Sequence, residues 1–200
     1  MSQLLKAEQV GFTRGGELVF RPVDVRLRPG QALVVSGPNG SGKTTLLRVL
    51  AGILEPATGS LERSTSLAFL GHLAAVKGDL NCRENLSFSV GFSGDKGMEI
   101  NRAMARVGLA GLGLRPARAL SAGQKRRLGL AGLLVARRPI WLLDEPYASL
   151  DDAGGELVDS LLNEHLGAGG AAALSTHQRQ PRLQTEPERL VIQPAFREGD

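Results

Sequence analysis

Short apolar segments alternate with longer amphipathic segments along this chain, and the alternation predicts an α/β fold with a mainly parallel sheet. Apolar runs typical of strands occupy residues 4–12, 18–27, 31–37, 66–71, 140–145, 171–177 and 188–193. Apolar residues at helical spacing predict helices over 43–53, from Ser121 onward and over 152–166. Residues 83–118 are predicted to form short helices separated by glycines.

Composition, net charge and cysteine count exclude several classes of protein. The 200 residues suffice for one domain, and 42% of them are hydrophobic and 22% charged. The net charge of +4 is small and the two signs are interleaved, which argues against nucleic acid as a partner. The single cysteine, Cys82, excludes a disulfide framework or a cysteine-rich zinc site within the chain.

Nothing in the sequence predicts insertion into a membrane. The N-terminal residues lack the basic flank and apolar segment of a signal peptide. The longest apolar stretch, Leu128–Ala136, is far shorter than the roughly 20 residues of a membrane span. We therefore expect a soluble intracellular protein.

The sequence "GPNGSGKT", Gly37–Thr44, fits the phosphate-loop pattern G-x-x-x-x-G-K-[ST] between a predicted buried strand and a predicted helix. Glycines allow backbone N–H groups to surround phosphate oxygens, and the helix N-terminus adds a partial positive charge. Lys43 is expected to bind the β- and γ-phosphates, and the Thr44 hydroxyl to ligate Mg²⁺. The predicted ATP-binding residues here are Gly37, Pro38, Asn39, Gly40, Ser41, Gly42, Lys43, Thr44 and Thr45.

The sequence "IWLLDEP" places two carboxylates at the end of a buried strand, where ligands bind in open α/β sheets. Asp144 is expected to hold Mg²⁺ through water. Glu145 is expected to act as the general base that polarises the attacking water. Together with the phosphate loop, this strand predicts a nucleoside triphosphatase.

The sequence "LSAGQ", Leu120–Gln124, opens a predicted helix, and with the two nucleotide motifs in place the chain resembles the ATP-binding cassette (ABC) family. The resemblance implies an N-terminal antiparallel β subdomain and a single domain, 1–200, with a helical subdomain at about residues 83–135. It also implies a homodimer on ATP binding, in which this turn faces the γ-phosphate held by the other subunit. The implied signature residues are Ser121, Ala122, Gly123 and Gln124. The basic residues that follow, Lys125–Arg127, are expected to form a solvated face.

Two further motifs match the family. The sequence "ASLD" ends in Asp151, which the resemblance places at the dimer interface. The sequence "STHQ" contains His177, 32 residues after Glu145, at the end of a predicted strand. His177 resembles the switch histidine that contacts the γ-phosphate and the attacking water. The implied catalytic residues are Lys43, Glu145 and His177.

Two positions depart from the common ABC pattern. His72 stands where a glutamine usually lies near Mg²⁺, so it joins Thr44 and Asp144 as an expected metal-site residue. The alternative is that His72 only packs against the coupling helix of the membrane partner. Arg14 stands where many members carry the aromatic residue that stacks on adenine. A guanidinium can also stack on a π-face, although Phe12 is an alternative for this role.

These departures, with "LSAGQKRRLGLA", "WLLDEP" and "STHQ", resemble the ATP-binding subunits of cytochrome c maturation, or haem exporter, systems, the CcmA family. The resemblance implies ATP hydrolysis on the cytoplasmic face of the bacterial inner membrane, beside an integral membrane subunit. ATP turnover would drive the release of a haem-loaded periplasmic chaperone. The alternative is the ATPase subunit of another exporter, such as one for lipoproteins or drugs.

Other ABC classes fit the chain poorly. DNA-repair and chromosome ATPases carry long insertions between the phosphate loop and the signature, whereas only 76 residues lie between Thr44 and Ser121. Tandem-cassette translation factors need two phosphate loops, and the sequence contains one.

Overall fold

A computed structural model describes residues 3–71, 76–91, 97–177 and 179–195. The strands in chain order are β1 (Leu5–Gly11), β2 (Thr13–Arg14), β3 (Glu17–Leu18), β4 (Val23–Leu27), β5 (Ala32–Ser36), β6 (Thr58–Arg63), β7 (Leu67–Leu70), β8 (Ile140–Asp144), β9 (Ala171–Ser175) and β10 (Glu188–Val191). The α-helices are α1 (Lys43–Leu50), α2 (Cys82–Gly91), α3 (Ile100–Arg106), α4 (Ala122–Ala136) and α5 (Asp152–Gly167). Within these ranges, no helix is both long and apolar enough to cross a bilayer.

The central sheet has five parallel strands in the order β10-β5-β9-β8-β7. Every residue of β8 and β9 is buried, because apolar clusters cover both faces of the sheet. One cluster includes residues of α2, α4 and α5, and the other includes residues of β1, β4 and α1. The structure thus confirms the predicted α/β fold. The parallel strands bring their carboxyl ends to one edge of the sheet.

A separate antiparallel sheet, in the order β4-β1-β6, lies next to the parallel sheet, and β2 and β3 form a hairpin. The pattern predicts one strand over residues 18–27, but the structure divides it into β3 and β4. Pro22 lies between them and has no N–H to donate to a ladder. The pattern does not predict β6, whose side chains are mostly exposed and polar. Backbone pairing with β1 forms this strand instead.

The helices α2, α3 and α4 occupy the region where the sequence predicts a helical subdomain. The basic residues at the start of α4 do not form the expected solvated face. Arg126 is 4% exposed, and Nη1 of Arg127 donates to the Val107 carbonyl at 3.0 Å. That expectation is wrong because α4 packs against both the sheet and the neighbouring helices.

A buried histidine makes the stability of the fold depend on pH. The His165 and Trp141 rings stack with centroids 3.9 Å apart and planes at 6°, and His165 Nε2 lies 3.2 Å from the Ala171 carbonyl. Burial lowers the pKa of His165 below its ordinary value. The folded state therefore favours the neutral imidazole, which contributes to the free energy of unfolding. That contribution is complete above the unfolded-state pKa of His165 and is lost as the pH falls through its folded-state pKa.

We expect His165→Phe to have a free energy of unfolding that falls less steeply on acidification below about pH 6.5, the ordinary histidine value. Phenylalanine keeps the stacked ring but cannot be protonated, while loss of the contact with Ala171 lowers stability at every pH. Urea denaturation of both proteins over a pH series measures the difference in slope. Parallel pH dependences would show that His165 does not contribute.

Candidate active site

The phosphate-loop sequence connects β5 to α1 at the carboxyl edge of the parallel sheet. Gly42 precedes the first turn of α1 with φ +99°, a left-handed conformation that favours glycine. A Cβ atom there would lie 2.7 Å from Cδ1 of the buried Phe20. The backbone of the loop is therefore determined both by its glycines and by packing from the antiparallel side of the molecule.

Lys43 lies inside this loop. Its Nζ donates to the carbonyls of Gly37 at 2.9 Å and Pro38 at 2.8 Å, and the residue is 6% exposed. Burial lowers the pKa of Lys43, and the nearby charges of Glu145 and Asp144 oppose that shift. The ammonium group is thus held between the loop backbone and the acidic end of β8.

Asp144 forms the polar centre of the site. It is 1% exposed, and the Thr44 hydroxyl donates to its two carboxylate oxygens at 3.0 and 2.9 Å. The Ser175 hydroxyl donates to Asp144 Oδ1 at 2.7 Å and accepts from the Glu145 N–H at 3.0 Å. The structure therefore brings together Thr44 and Asp144, as the sequence predicts, and adds Ser175. Ser175 lies at the end of β9, which lies between β5 and β8 in the sheet. Local sequence does not predict its contact with Asp144, because that contact depends on which strands are neighbours.

Glu145 follows directly with φ +51°, a strained backbone conformation for a non-glycine residue. Its Oε1 lies 3.2 Å from His177 Nε2, a contact without hydrogen-bond geometry. Among the described residues, Glu145 Oε1 and the Ser41 hydroxyl are buried atoms without a hydrogen-bond partner. Buried polar atoms without partners are costly, so these two are candidate contacts for a polar ligand.

A cavity of about 890 Å³ is lined by Lys43 and Thr44 of the phosphate loop and by Glu145. Its lining also includes Arg14, Val19 and His177. Phe12, the alternative to Arg14, instead packs against an apolar core cluster. The predicted ATP-site residues that line the cavity are Arg14, Asn39, Gly40, Gly42, Lys43, Thr44 and Thr45, together with Glu145 and His177.

The signature residues lie outside that lining. Ser121 and Gln124 form a capping box at the start of α4, in which the Ser121 Oγ accepts from the Gln124 N–H at 3.2 Å and Gln124 Oε1 accepts from the Ser121 N–H at 3.0 Å. A Cβ atom at Gly123 would lie 2.8 Å from the Ser149 carbonyl, so glycine permits the turn to approach the loop that follows β8. Ser121 and Ala122 are exposed.

Asp151 caps the N-terminus of α5. Its carboxylate accepts from the Gly154 N–H at 2.8 Å and lies 3.4 Å from Arg127 Nη2. The hydrogen bond from Gly154 is the main cause of a lowered pKa for Asp151. His72 lies outside the described residues, so its expected place near Mg²⁺ stays a prediction.

Arg126 is a residue of the site region that the sequence interpretation missed. Its Nη1 donates to the Gly71 carbonyl at 2.9 Å. Burial lowers the pKa of Arg126, while the charges of Asp144 and Glu145 oppose the shift. Helical spacing is the sequence signal that could have predicted the burial of Arg126. Arg126 precedes the buried Leu130 and Leu133 by four and seven residues, which places all three on one face of the helix.

Comparisons with known proteins identify the family that this chain matches. The model of the ABC transporter family matches residues 20–148. The cytochrome c biogenesis ATP-binding export protein CcmA of Xanthomonas campestris pv. campestris is 46% identical over 185 residues, which cover 87% of this chain and 86% of that protein. The protein of the same name from Rhodobacter capsulatus is 47% identical over 175 residues, covering 87% of this chain and 81% of that protein.

A solved structure shares the fold. It is a dimeric, post-hydrolysis state of an ATP-binding cassette bound to ADP and Pi, with a TM-score of 0.78 and 22% identity. The match covers 87% of this chain and 88% of that chain.

Proposed function

We propose that this chain, which belongs to the ABC transporter family and within it to the cytochrome c biogenesis ATP-binding export proteins CcmA, is the subunit that binds and hydrolyses ATP for the biogenesis of c-type cytochromes. The observation that carries the ATPase assignment is the meeting of Lys43, the Thr44–Asp144 pair and the Glu145–His177 contact at one edge of the sheet. The family relatives carry the assignment to cytochrome c biogenesis.

Phosphate binding follows from the loop. Backbone N–H groups of the non-proline residues in Gly37–Thr45 and the positive end of α1 bind the phosphate oxygens, and Lys43 supplies the cation for the β- and γ-phosphates. The buried Ser41 hydroxyl is a further donor without a protein partner. Arg14, on the cavity wall, stacks on the adenine ring.

Thr44 in α1 and Asp144 at the end of β8 fit a magnesium ion. The Thr44 hydroxyl donates its hydrogen bond to Asp144, so the lone pairs of the Thr44 oxygen stay available to a cation. Magnesium prefers oxygen ligands and binds few protein groups besides substrate phosphates and water. When bound, Mg²⁺ supplies neutralisation of the charge on the phosphates. Thr44 and Asp144 hold it in this proposal, with His72 as a further candidate.

Hydrolysis requires activation of water. Glu145 accepts a proton from the attacking water as general base. Its buried Oε1 has no hydrogen-bond partner among the described residues, so this oxygen is available to the water. His177, beside Glu145, orients the water and contacts the γ-phosphate. Ser175 supports both acids, since its hydroxyl donates to Asp144 and accepts from the Glu145 N–H.

The complete site needs a second copy of the chain. Ser121–Gln124 lie at an exposed helix N-terminus outside their own cavity, so they can face the γ-phosphate of a partner. The structurally similar ATP-binding cassette is itself a dimer with ADP and Pi. We therefore assign this chain a homodimeric ATP-bound state, in which Asp151 lies at the interface.

The assembly acts at a membrane. Its integral membrane subunit is a separate protein, and this chain is a peripheral subunit on the cytoplasmic face of the bacterial inner membrane. ATP turnover drives the release of a haem-loaded periplasmic chaperone. In this proposal the single ATP-binding domain spans residues 1–200, with its helical subdomain at about residues 83–135.

A strain whose only copy carries Lys43→Ala should lack c-type cytochromes, which bear covalent haem, and keep its b-type cytochromes. Lys43 is the cation of the phosphate site, whereas Lys6→Ala, which removes an ammonium paired with Glu8 on β1, should leave both types at the wild-type level. Haem staining of denaturing gels detects the c-type proteins, and absorption spectra detect the b-type proteins. Normal c-type bands in the Lys43→Ala strain would contradict the pathway and favour a lipoprotein or drug exporter.

A further inference from the structure

A buried carboxylate next to the active site has no part in the proposed chemistry. Asp159, in α5, is 5% exposed and accepts three hydrogen bonds. The donors are the Tyr147 hydroxyl at 2.6 Å, Arg179 Nη2 at 3.0 Å and the Arg182 N–H at 3.2 Å. All three donors come from loops outside α5, so Asp159 joins separate segments of the chain.

Arg179 is the most constrained member of this cluster. Its guanidinium carbon lies 5.5 Å from the centroid of the Tyr147 ring, and Nη1 lies 3.8 Å from Asp152. The guanidinium also covers Gly155 of α5, where a Cβ atom would lie 2.9 Å from Nε and still closer to Nη1. The hydrogen bond to Asp159 raises the pKa of Arg179, and burial together with that carboxylate raises the pKa of Tyr147. The guanidinium is therefore charged and the phenol neutral, as their hydrogen bonds to Asp159 require.

The cluster connects the two loops that carry Glu145 and His177. Tyr147 follows Glu145 by two residues, and Arg179 follows His177 by two residues. The Thr176 hydroxyl donates to the Arg179 carbonyl at 2.6 Å, which closes the turn that contains His177. Both Tyr147 and Arg179 line the nucleotide cavity. Through Asp159, the positions of the two loops are thus coupled by direct hydrogen bonds.

We propose that Arg179 is a positioning residue that, held by Asp159, Tyr147 and Gly155, keeps the His177 loop against Glu145 in the geometry needed for hydrolysis. The inference rests on the proposed ATPase function. Misplacement of a catalytic group by about 1 Å can cost about a hundredfold in rate, so a clamp of this kind acts on turnover without touching the reacting atoms.

Two variants of the full-length chain test the clamp from different sides. Arg179→Gln removes the charged partner of Asp159. Gly155→Ala leaves Arg179 in the sequence but puts a methyl group where its guanidinium lies, and alanine favours the helix, so the fold is retained. The matched control is Gly167→Ala at the other end of α5, where a Cβ atom meets nothing within 4 Å.

The first readout is the NMR signal of the His177 ring, which does not depend on hydrolysis. The chain has three histidines, and His177→Ala assigns the signal. We expect the His177 ring resonances to shift in Arg179→Gln and in Gly155→Ala and to match wild type in Gly167→Ala. Unchanged resonances in both test variants would overturn the inference, whether or not the protein hydrolyses ATP.

The second readout is steady-state hydrolysis of Mg·ATP. We expect kcat to fall about ten- to a hundredfold in Arg179→Gln and Gly155→Ala, with KM for ATP close to wild type, because binding groups are unchanged and only the hydrolytic geometry moves. A raised KM at unchanged kcat would overturn the positioning role and assign Arg179 to nucleotide binding. Absence of hydrolysis by the wild-type protein would instead refute the proposed function, while the His177 signal still decides the role of Arg179.

Discussion

Lys43→Ala should abolish ATP hydrolysis and weaken ATP binding by about ten- to a hundredfold, since hydrogen bonds to charged groups contribute about 1.5–3 kcal/mol each. Lys43 Nζ is the ammonium group that the loop encloses, bonded to the Gly37 and Pro38 carbonyls. Isothermal titration with a non-hydrolysable ATP analogue measures binding, and phosphate release measures turnover.

Lys43→Arg sharpens this test. The side chain is 6% exposed, with both loop carbonyls within 2.9 Å of Nζ, so the broader guanidinium does not fit although it keeps the charge. We expect Lys43→Arg to be as inactive as Lys43→Ala, whereas Lys6→Ala stays fully active. Wild-type turnover in Lys43→Ala would contradict the assignment of the phosphate site.

Glu145→Gln should keep ATP binding, slow turnover by about 10²–10⁴-fold and accumulate an ATP-bound dimer. Glutamine has the size of glutamate but cannot accept the proton of the attacking water. The nucleotide then stays intact between the phosphate loop of one copy and the signature turn of the other. Size-exclusion chromatography with and without Mg·ATP measures the shift from monomer to dimer.

The double variant Lys43→Ala, Glu145→Gln is the control for that dimer. Because it lacks the ammonium group that we propose to bind phosphate, we expect it to remain monomeric in Mg·ATP. A strictly monomeric Glu145→Gln protein at high concentration would count against a site shared between two copies. A dimer in the double variant would show that association does not depend on nucleotide binding.

The parts of the site that short sequence segments predicted share one physical property: their determinants are local. Gly42 can adopt φ +99° because it has no side chain, and the strand before it is buried because its residues are apolar. The same holds for Asp144 at the end of an apolar run and for the start of α4 at the Leu120–Gln124 turn. Residues close in sequence set these conformations, so the pattern alone predicts them.

The parts that the sequence interpretation missed depend on which distant segments become neighbours. Arg126 was expected in solvent, but α4 carries it to the Gly71 carbonyl. Ser175 bridges Asp144 and Glu145 only because β9 lies beside β8 in the sheet. The strand β6 exists through backbone pairing that its polar side chains do not indicate.

The sequence by itself therefore determined the class of fold, the phosphate loop and the acidic strand end, because backbone conformation and hydrophobic periodicity are encoded over a few residues. The tertiary structure alone decided the contact between Glu145 and His177 and the position of Arg179 on Asp159. Those contacts join loops that follow different strands to each other and to α5, and their distances are set by the packing of whole elements against the sheet.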